Sequence, residues 1–228
     1  MVRAENWVGL ESNPGVMSSY AERLGMDPAW AFSDCWGLDA DALKYVPQPT
    51  VAAILLYPFS LVEQRKRALG RSAGSVTPAV WHMKQTVGNS CGAVAIMHAV
   101  MNNLDRLAKS DSLLERFRDG GERSARDRGE GFASAVRELH SDIAVEGQTD
   151  APTPTADLDF HFVALVERDG RLYELDGNNV GPVDVGAVDS CDGFLDAVAE
   201  HIEAAYITPF PNAHFSLITL GPKRADDE

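Results

Sequence analysis

Four residues of this 228-residue chain have the types and spacing for nucleophilic chemistry: Cys91, His161, Asp176 and Gln85. Cys91 lies in the stretch Gln85-Thr-Val-Gly-Asn-Ser-Cys-Gly92, where Gly88 and Asn89 favour a turn and Ser90 suits a helix N-cap. From Gly92 the chain turns apolar through Val94, Ala95, Met97 and Met101, as a buried helix requires. A cysteine in a helix's first turn meets unpaired backbone N–H groups and the positive end of the helix dipole, and both favour thiolate over thiol. Free cysteines are also among the residues most often buried and inert, so the partners of Cys91 decide its reading.

Those partners come from a hairpin. Asp169-Gly170 stands between two apolar runs, His161 to Glu167 and Arg171 to Asp176, and is the pattern of a two-residue type I′ turn. With Arg168 paired to Arg171, Val163 falls opposite Asp176 and His161 opposite Asn178. Alternation then puts His161, Val163 and Asp176 on one face. His161 and Asp176 become diagonal neighbours, about 7–8 Å apart at the backbone and within side-chain reach. A one-residue slip would separate them. Glu174 shares the face but lies two residues further along, a poorer partner. A carboxylate on one ring nitrogen fixes the imidazole tautomer and stabilises its charged form, which a general base requires. The imidazole takes the thiol proton and the thiolate attacks an acyl carbon. The Cys91 N–H and the Gln85 side-chain amide, folded back from six residues upstream, would stabilise the oxyanion.

The elements that carry these residues are legible in outline. Asn13-Pro14 starts a helix that runs through Val16, Tyr20 and Leu24 and stops at Gly25. Trp7 to Leu10 and Val80 to Lys84 are expected as short strands, the second feeding the cysteine loop. Trp30 to Trp36 is expected to be extended, and Asp39 to Val46 a short helix capped by Asp39. Thr50 to Tyr57 is apolar on both faces, as a central strand would be, and Pro58 ends it. Leu61 to Leu69, Asp111 to Arg118, Glu122 to Arg128, Phe132 to Leu139 and Cys191 to Tyr206 are expected helices. Gly70 to Pro78 is a connector, Val183 to Val185 a further strand, Phe215 to Leu220 the last strand. Glu146 to Asp157 has two prolines, three threonines and little to bury. It is a loop, and globular flanks on both sides favour a lid over a linker.

Composition sets outer bounds. A 45% hydrophobic content supports a real core, and a single domain over residues 1–228 is expected, with a folded body over about 4–222 and a loose tail at 223–228. No apolar run is long enough to cross a membrane and no apolar leader is visible. Three widely spaced cysteines argue for a reducing compartment, and Cys35 and Cys191 read as structural. No metal-binding pair such as Cys-x-x-Cys appears, so no metal and no cofactor are expected. A net charge of −14 disfavours nucleic acid and suits a basic partner. His98, two turns past Cys91, is too far away to be its base and reads as a packed helix residue. His82, His140, His201 and His214 show no acid at a usable spacing.

The whole chain resembles the ubiquitin C-terminal hydrolases, a papain-like cysteine protease family. The resemblance rests on Leu10-Glu-Ser-Asn-Pro14, Asp27-Pro-Ala-Trp30 and Val46-Pro-Gln-Pro49 near the start, and on the Gln85-to-Gly92 nucleophile loop. It continues through Glu146-Gly-Gln-Thr-Asp-Ala-Pro152, His161-Phe-Val-Ala-Leu-Val166 and Leu172-Tyr-Glu-Leu-Asp-Gly177. It implies an α/β (α+β) papain-like fold, with a central antiparallel sheet flanked by helices and a knotted backbone. The loop at 147–158 would cross over the active site. It assigns Cys91 as nucleophile, His161 as general acid/base, Asp176 as its orienter and Gln85 as oxyanion donor, with Glu11 and Asn13 binding substrate. The implied activity is cleavage of small adducts or unfolded peptides from the C-terminal glycine of ubiquitin, whose tail carries arginines. A ubiquitin-holding protein with little turnover, or a hydrolase of another ubiquitin-like modifier, are the alternatives. Ubiquitin is the implied partner of a monomer, expected in the cytoplasm and also the nucleus, that touches neither membrane nor nucleic acid. Asn178-Asn-Val-Gly-Pro182 is less basic and less aromatic than the family pattern.

Overall fold

A computed structural model describes residues 6–68, 80–110, 112–119, 136–144, 146–148, 153, 159–188 and 193–224. Six strands form one antiparallel sheet: β1 (Trp30–Cys35), β2 (Ala52–Pro58), β3 (Phe160–Arg168), β4 (Arg171–Leu175), β5 (Val183–Ala187) and β6 (Ser216–Pro222), in the order β1-β6-β2-β3-β4-β5. Thr50 to Tyr57 is central as its composition requires: β2 pairs with β3 on one side and β6 on the other. Every residue from Ala52 to Leu55 is buried, so a strand with two covered faces shows no polar alternation.

Alternate residues of the central strands feed two cores. Ile54, Phe162, Ala164, Tyr173 and Leu175 face α1 (Pro14–Leu24) and a helix at Cys91–Met101. Leu55, Tyr57, Val163, Leu165 and Leu172 face Phe194, Val198 and Ile202 of a helix at Phe194–Ile202. The remaining helices are α2 (Ala40–Leu43), α3 (Phe59–Ala68), α5 (Leu104–Leu107), α6 (Leu113–Asp119) and α7 at 136–143, so the Cys91 helix is α4 and the Phe194 helix is α8. Gly92 to Met101 of α4 is buried throughout, as a helix apolar at every position but His98 must be. Its first residue is therefore held rigidly while reaching the rim of the sheet.

The caps of the first helices follow the sequence. The Asn13 side chain accepts from the N–H groups of Gly15 and Val16, and Gly25 at φ 117° closes α1. Asp39 caps α2. The hairpin is also as expected: Asp169 and Gly170 have φ of 52° and 73°, both left-handed, and Arg168 pairs with Arg171.

Several expectations are corrected. Trp7 to Leu10 forms no strand; the Trp7 N–H donates to Gly88 O at 2.9 Å, and only Asn6 bridges to Gly88. Val80 to Lys84 forms no strand either, because helix side chains rather than a neighbouring strand take up its backbone groups. Ser90 occupies the N-cap position, but its hydroxyl donates to Val87 O at 2.8 Å instead of accepting from the helix. The last helix ends at Ile202 and continues as a π-helical turn, Glu203–Ile207. The segments 70–78 and 122–128, Cys191, and 149–152 with 154–158 lie outside the described residues, and with the last of these the path of the expected crossover and knot. No helix among the described residues is long and apolar enough to cross a membrane.

Candidate active site

The site forms where α4 begins and where β3 starts and β4 ends. Gly92 permits the approach: a Cβ there would lie 3.0 Å from Leu10 Cβ and 3.4 Å from Phe162 Cδ2, so α4 sits directly against the start of β3. Gly177 does the same on the far side, where a Cβ would meet Gln85 Cβ and Val94 Cγ1 at 2.9 Å each. Three segments thus converge on the end of β4.

The register of the Asp169-Gly170 hairpin, continued to its open end, puts His161 and Asp176 on the α8 face, and the two side chains meet. His161 Nε2 lies 2.7 Å from Asp176 Oδ1, with 5% of His161 and 1% of Asp176 exposed. The same carboxylate oxygen accepts from the Asn178 N–H at 2.8 Å, which fixes its orientation. Tyr57, directly opposite His161 across the β2–β3 ladder, presents an edge at 5.7 Å, and Phe59 lies at 5.1 Å. The imidazole is walled by aromatic rings and held by a carboxylate.

Nε2 is committed to Asp176, so Nδ1 is left for the Cys91 thiol, which is hydrogen-bonded to His161. Burial acts against charge on both partners, yet both charged forms are favoured. Burial would push the Cys91 thiol up, but the bond to His161, the imidazolium charge and backbone hydrogen bonds from Phe162 and Gly92 bring it below its ordinary value. Burial would lower His161, but Asp176 first and Cys91 second raise it from 6.5 to about 9. Both shifts favour the thiolate–imidazolium pair over the neutral one. That pair, ready to attack an acyl carbon and to return a proton to the leaving group, is the chemistry of a thiol hydrolase.

Gln85 joins the site through its backbone, whose N–H donates to Gly177 O at 2.8 Å. Its side-chain Nε2 donates to Val87 O at 3.0 Å, which fixes the amide and leaves its second N–H to point elsewhere. Asn89, at φ 59°, makes the turn that the sequence indicated before Cys91. The Glu11 and Asn13 side chains make hydrogen bonds within the chain. The Asn13 side chain is used in capping, and Glu11 Oε2 accepts from the Gln148 N–H at 2.7 Å, holding the start of the 147–158 loop. Arg23 adds a 2.6 Å ion pair to Glu146 beside it.

Sequence reasoning missed a second histidine–carboxylate pair. Glu174, 5% exposed, accepts from Tyr206 Oη at 2.7 Å and meets His201 Nε2 at 2.8 Å. The pairing crosses from β4 to α8, so no local spacing announces it. Its partners take up the Glu174 carboxylate, while His161 meets Asp176. Among the described residues no cluster of His, Cys, Asp and Glu could hold a metal ion.

Fold and site together define a papain-like thiol hydrolase. The profile of the family described as ubiquitin carboxyl-terminal hydrolase, family 1, matches residues 7–206. A ubiquitin carboxyl-terminal hydrolase of Aplysia californica is 38% identical over 210 residues, covering 89% of this chain and 96% of its own. The human ubiquitin carboxyl-terminal hydrolase isozyme L1 is 38% identical over 185 residues, covering 78% and 82%. The catalytic domain of Trichinella spiralis UCH37, solved bound to ubiquitin vinyl methyl ester, superposes with a TM-score of 0.72 at 22% identity, covering 96% of each chain, and shares the fold. The chain belongs to the ubiquitin carboxyl-terminal hydrolase family and is a hydrolase.

Proposed function

We propose that this chain hydrolyses the bond between the C-terminal glycine of ubiquitin and a small adduct or unfolded peptide, with Cys91 as nucleophile. The observation that carries this reading is the buried 2.7 Å contact of His161 with Asp176, made by an imidazole that is also bonded to the Cys91 thiol. The ubiquitin assignment rests on the family and its named relatives. His161 holds the proton of the Cys91 thiol, and the thiolate sulfur bonds to the glycine carbonyl carbon. The carbonyl oxygen takes up the displaced electron pair. The second N–H of the Gln85 side chain and the Cys91 backbone N–H donate to that oxyanion; one such donor is worth about 2.7–4 kcal/mol of transition-state stabilisation. As the carbon–nitrogen bond breaks, the His161 proton passes to the leaving amine, giving an amine and a thioester. Water, its proton taken by His161, then cleaves the thioester, releasing the ubiquitin carboxylate and restoring the thiol. Glu11 and Asn13 are proposed to meet the basic tail, and the protein to act as a monomer.

Ubiquitin bearing an electrophilic C-terminal ester tests the assignment. The expected result is one covalent adduct on Cys91 by peptide mass spectrometry, abolished by prior alkylation of the thiol. Labelling at Cys35 or Cys191 instead, or none, overturns it.

A further inference from the structure

Residues 81–86 lead to the nucleophile loop without joining the sheet. Side chains of α4 stand in for a neighbouring strand. Asn102 Oδ1 accepts from the Trp81 N–H at 2.8 Å, and Asn102 Nδ2 donates to Trp81 O at 2.9 Å, also reaching His98 O at 2.8 Å. The Met83 N–H donates to His98 Nε2 at 3.1 Å. The same nitrogen also lies 3.2 Å from Met83 O, so His98 Nε2 meets both backbone groups of residue 83. Burial, with His82 beside it, holds His98 down at about 3, which keeps the imidazole neutral. His98 and Asn102 are four residues apart, His98 within the helix that begins with Cys91 and Asn102 at its C-cap.

The other edge of the segment is tied to the acid. His82 Nε2 lies 3.0 Å from Asp176 O, the His82 ring stacks on His98 at 4.8 Å and 21°, and the Gln85 N–H reaches Gly177 O. The segment is therefore a strut between the nucleophile's helix and the turn that holds Asp176, and it ends at Gln85.

We propose that His98 and Asn102 are positioning residues for Gln85, setting the height of its amide above Cys91 by clamping residues 81 and 83 to the same helix that carries the nucleophile. A strand in the sheet would place Gln85 relative to the sheet. The clamp places it relative to Cys91, with one rigid helix as the common reference. Misplacing a catalytic group by about 1 Å can cost on the order of a hundredfold in rate. The proposal rests on the reading of Gln85 as oxyanion donor.

The test separates acyl chemistry from thiolate chemistry. Iodoacetamide alkylates Cys91 by forming a sulfur–carbon bond as iodide leaves; no oxyanion develops, so Gln85 is not needed. His98→Phe keeps a ring but offers Met83 no hydrogen-bond partner; the His98→Gln amide offers both an acceptor and a donor. The kcat and KM for a fluorogenic ubiquitin C-terminal amide are measured per alkylatable site, so unfolded protein does not count. For His98→Phe we expect kcat to fall by about ten- to a hundredfold, with KM and the alkylation rate within about twofold of wild type. His98→Gln is expected to recover most of the loss, and His98→Phe added to Gln85→Ala to lose little beyond Gln85→Ala alone. Should His98→Phe fail to fold, Asn102→Asp, which keeps an acceptor for the Trp81 N–H but loses both Nδ2 donations, is expected to give the same pattern. Unchanged kcat, or an equal fall in alkylation, in the variant that folds overturns the proposal while leaving Gln85 its role. Unchanged kcat in Gln85→Ala overturns the oxyanion reading itself.

Discussion

Replacing Asp176 with asparagine isolates the charge of the acid from its geometry. Asp176 Oδ1 receives both His161 Nε2 at 2.7 Å and the Asn178 N–H at 2.8 Å. An asparagine with its carbonyl oxygen in that place keeps both bonds and loses the charge. His161 is raised from 6.5 to about 9 against a burial that would lower it, and Asp176 leads the raising influences ahead of Cys91. The net lift corresponds to roughly 3 kcal/mol in favour of the imidazolium, at about 1.4 kcal/mol per tenfold. If Asp176 supplies half of it or more, Asp176→Asn lowers the His161 titration by more than about one pH unit, and burial then acts unopposed. Because the pair titrates together, the observable is the macroscopic alkaline limb. In the wild type kcat/KM is expected to fall as pH rises through about 9. In Asp176→Asn the fall moves to lower pH, toward the ordinary imidazole range. The assay is the pH profile of kcat/KM on a fluorogenic ubiquitin amide, with the His161 ring titrated by NMR on labelled protein. An alkaline limb unmoved to within a few tenths of a pH unit would refute the reasoning.

Gln85→Ala should lower kcat by about 10²–10³ with KM spared, since the donor acts only on the oxyanion; steady-state kinetics reads this directly. Gly177→Ala forces a methyl group to 2.9 Å from Gln85 Cβ and Val94 Cγ1 and 3.2 Å from Gln85 N. It should destabilise the fold by about 1–3 kcal/mol in urea denaturation and lower kcat, as the strut and α4 are pushed apart. His98 is buried neutral with its titration lowered from 6.5 to about 3. The unfolded chain binds this proton first, so the contribution of His98 to stability is complete above about pH 6.5 and is lost as pH falls toward 3. Moving from pH 7 to pH 5 should cost about 2 kcal/mol from this residue alone, and urea midpoints for His98→Gln should be correspondingly flatter.

The parts of this molecule that could be read from sequence are those set by local chain geometry. Asp169-Gly170 demands two left-handed residues in succession, and this fixes the Arg168–Arg171 register that brings His161 and Asp176 to one face. Asn13-Pro14 and Gly25 bound α1 for equally local reasons. The apolar run after Gly92 indicated that α4 is buried on all sides. What was not legible depends on distant groups. Val80 to Lys84 has the composition of a strand, and whether its backbone meets a strand or the side chains of His98 and Asn102 is decided by where α4 lies. His201 finds Glu174 only because α8 crosses beneath β4, and the Ser90 hydroxyl turns to Val87 O instead of the helix. Glu11 and Asn13 came from resemblance alone, and in the structure both side chains have intramolecular duties, at Gln148 and at the start of α1.

The central claim is that a thiolate on Cys91, paired with His161, performs the hydrolysis. Release of a fluorogenic group from the C-terminus of ubiquitin, wild type beside Cys91→Ala, with ubiquitin binding followed in parallel, tests it most directly. Turnover in the wild type that vanishes in Cys91→Ala while binding persists is the predicted result. Tight binding without turnover in the wild type, or turnover that survives in Cys91→Ala, would contradict it.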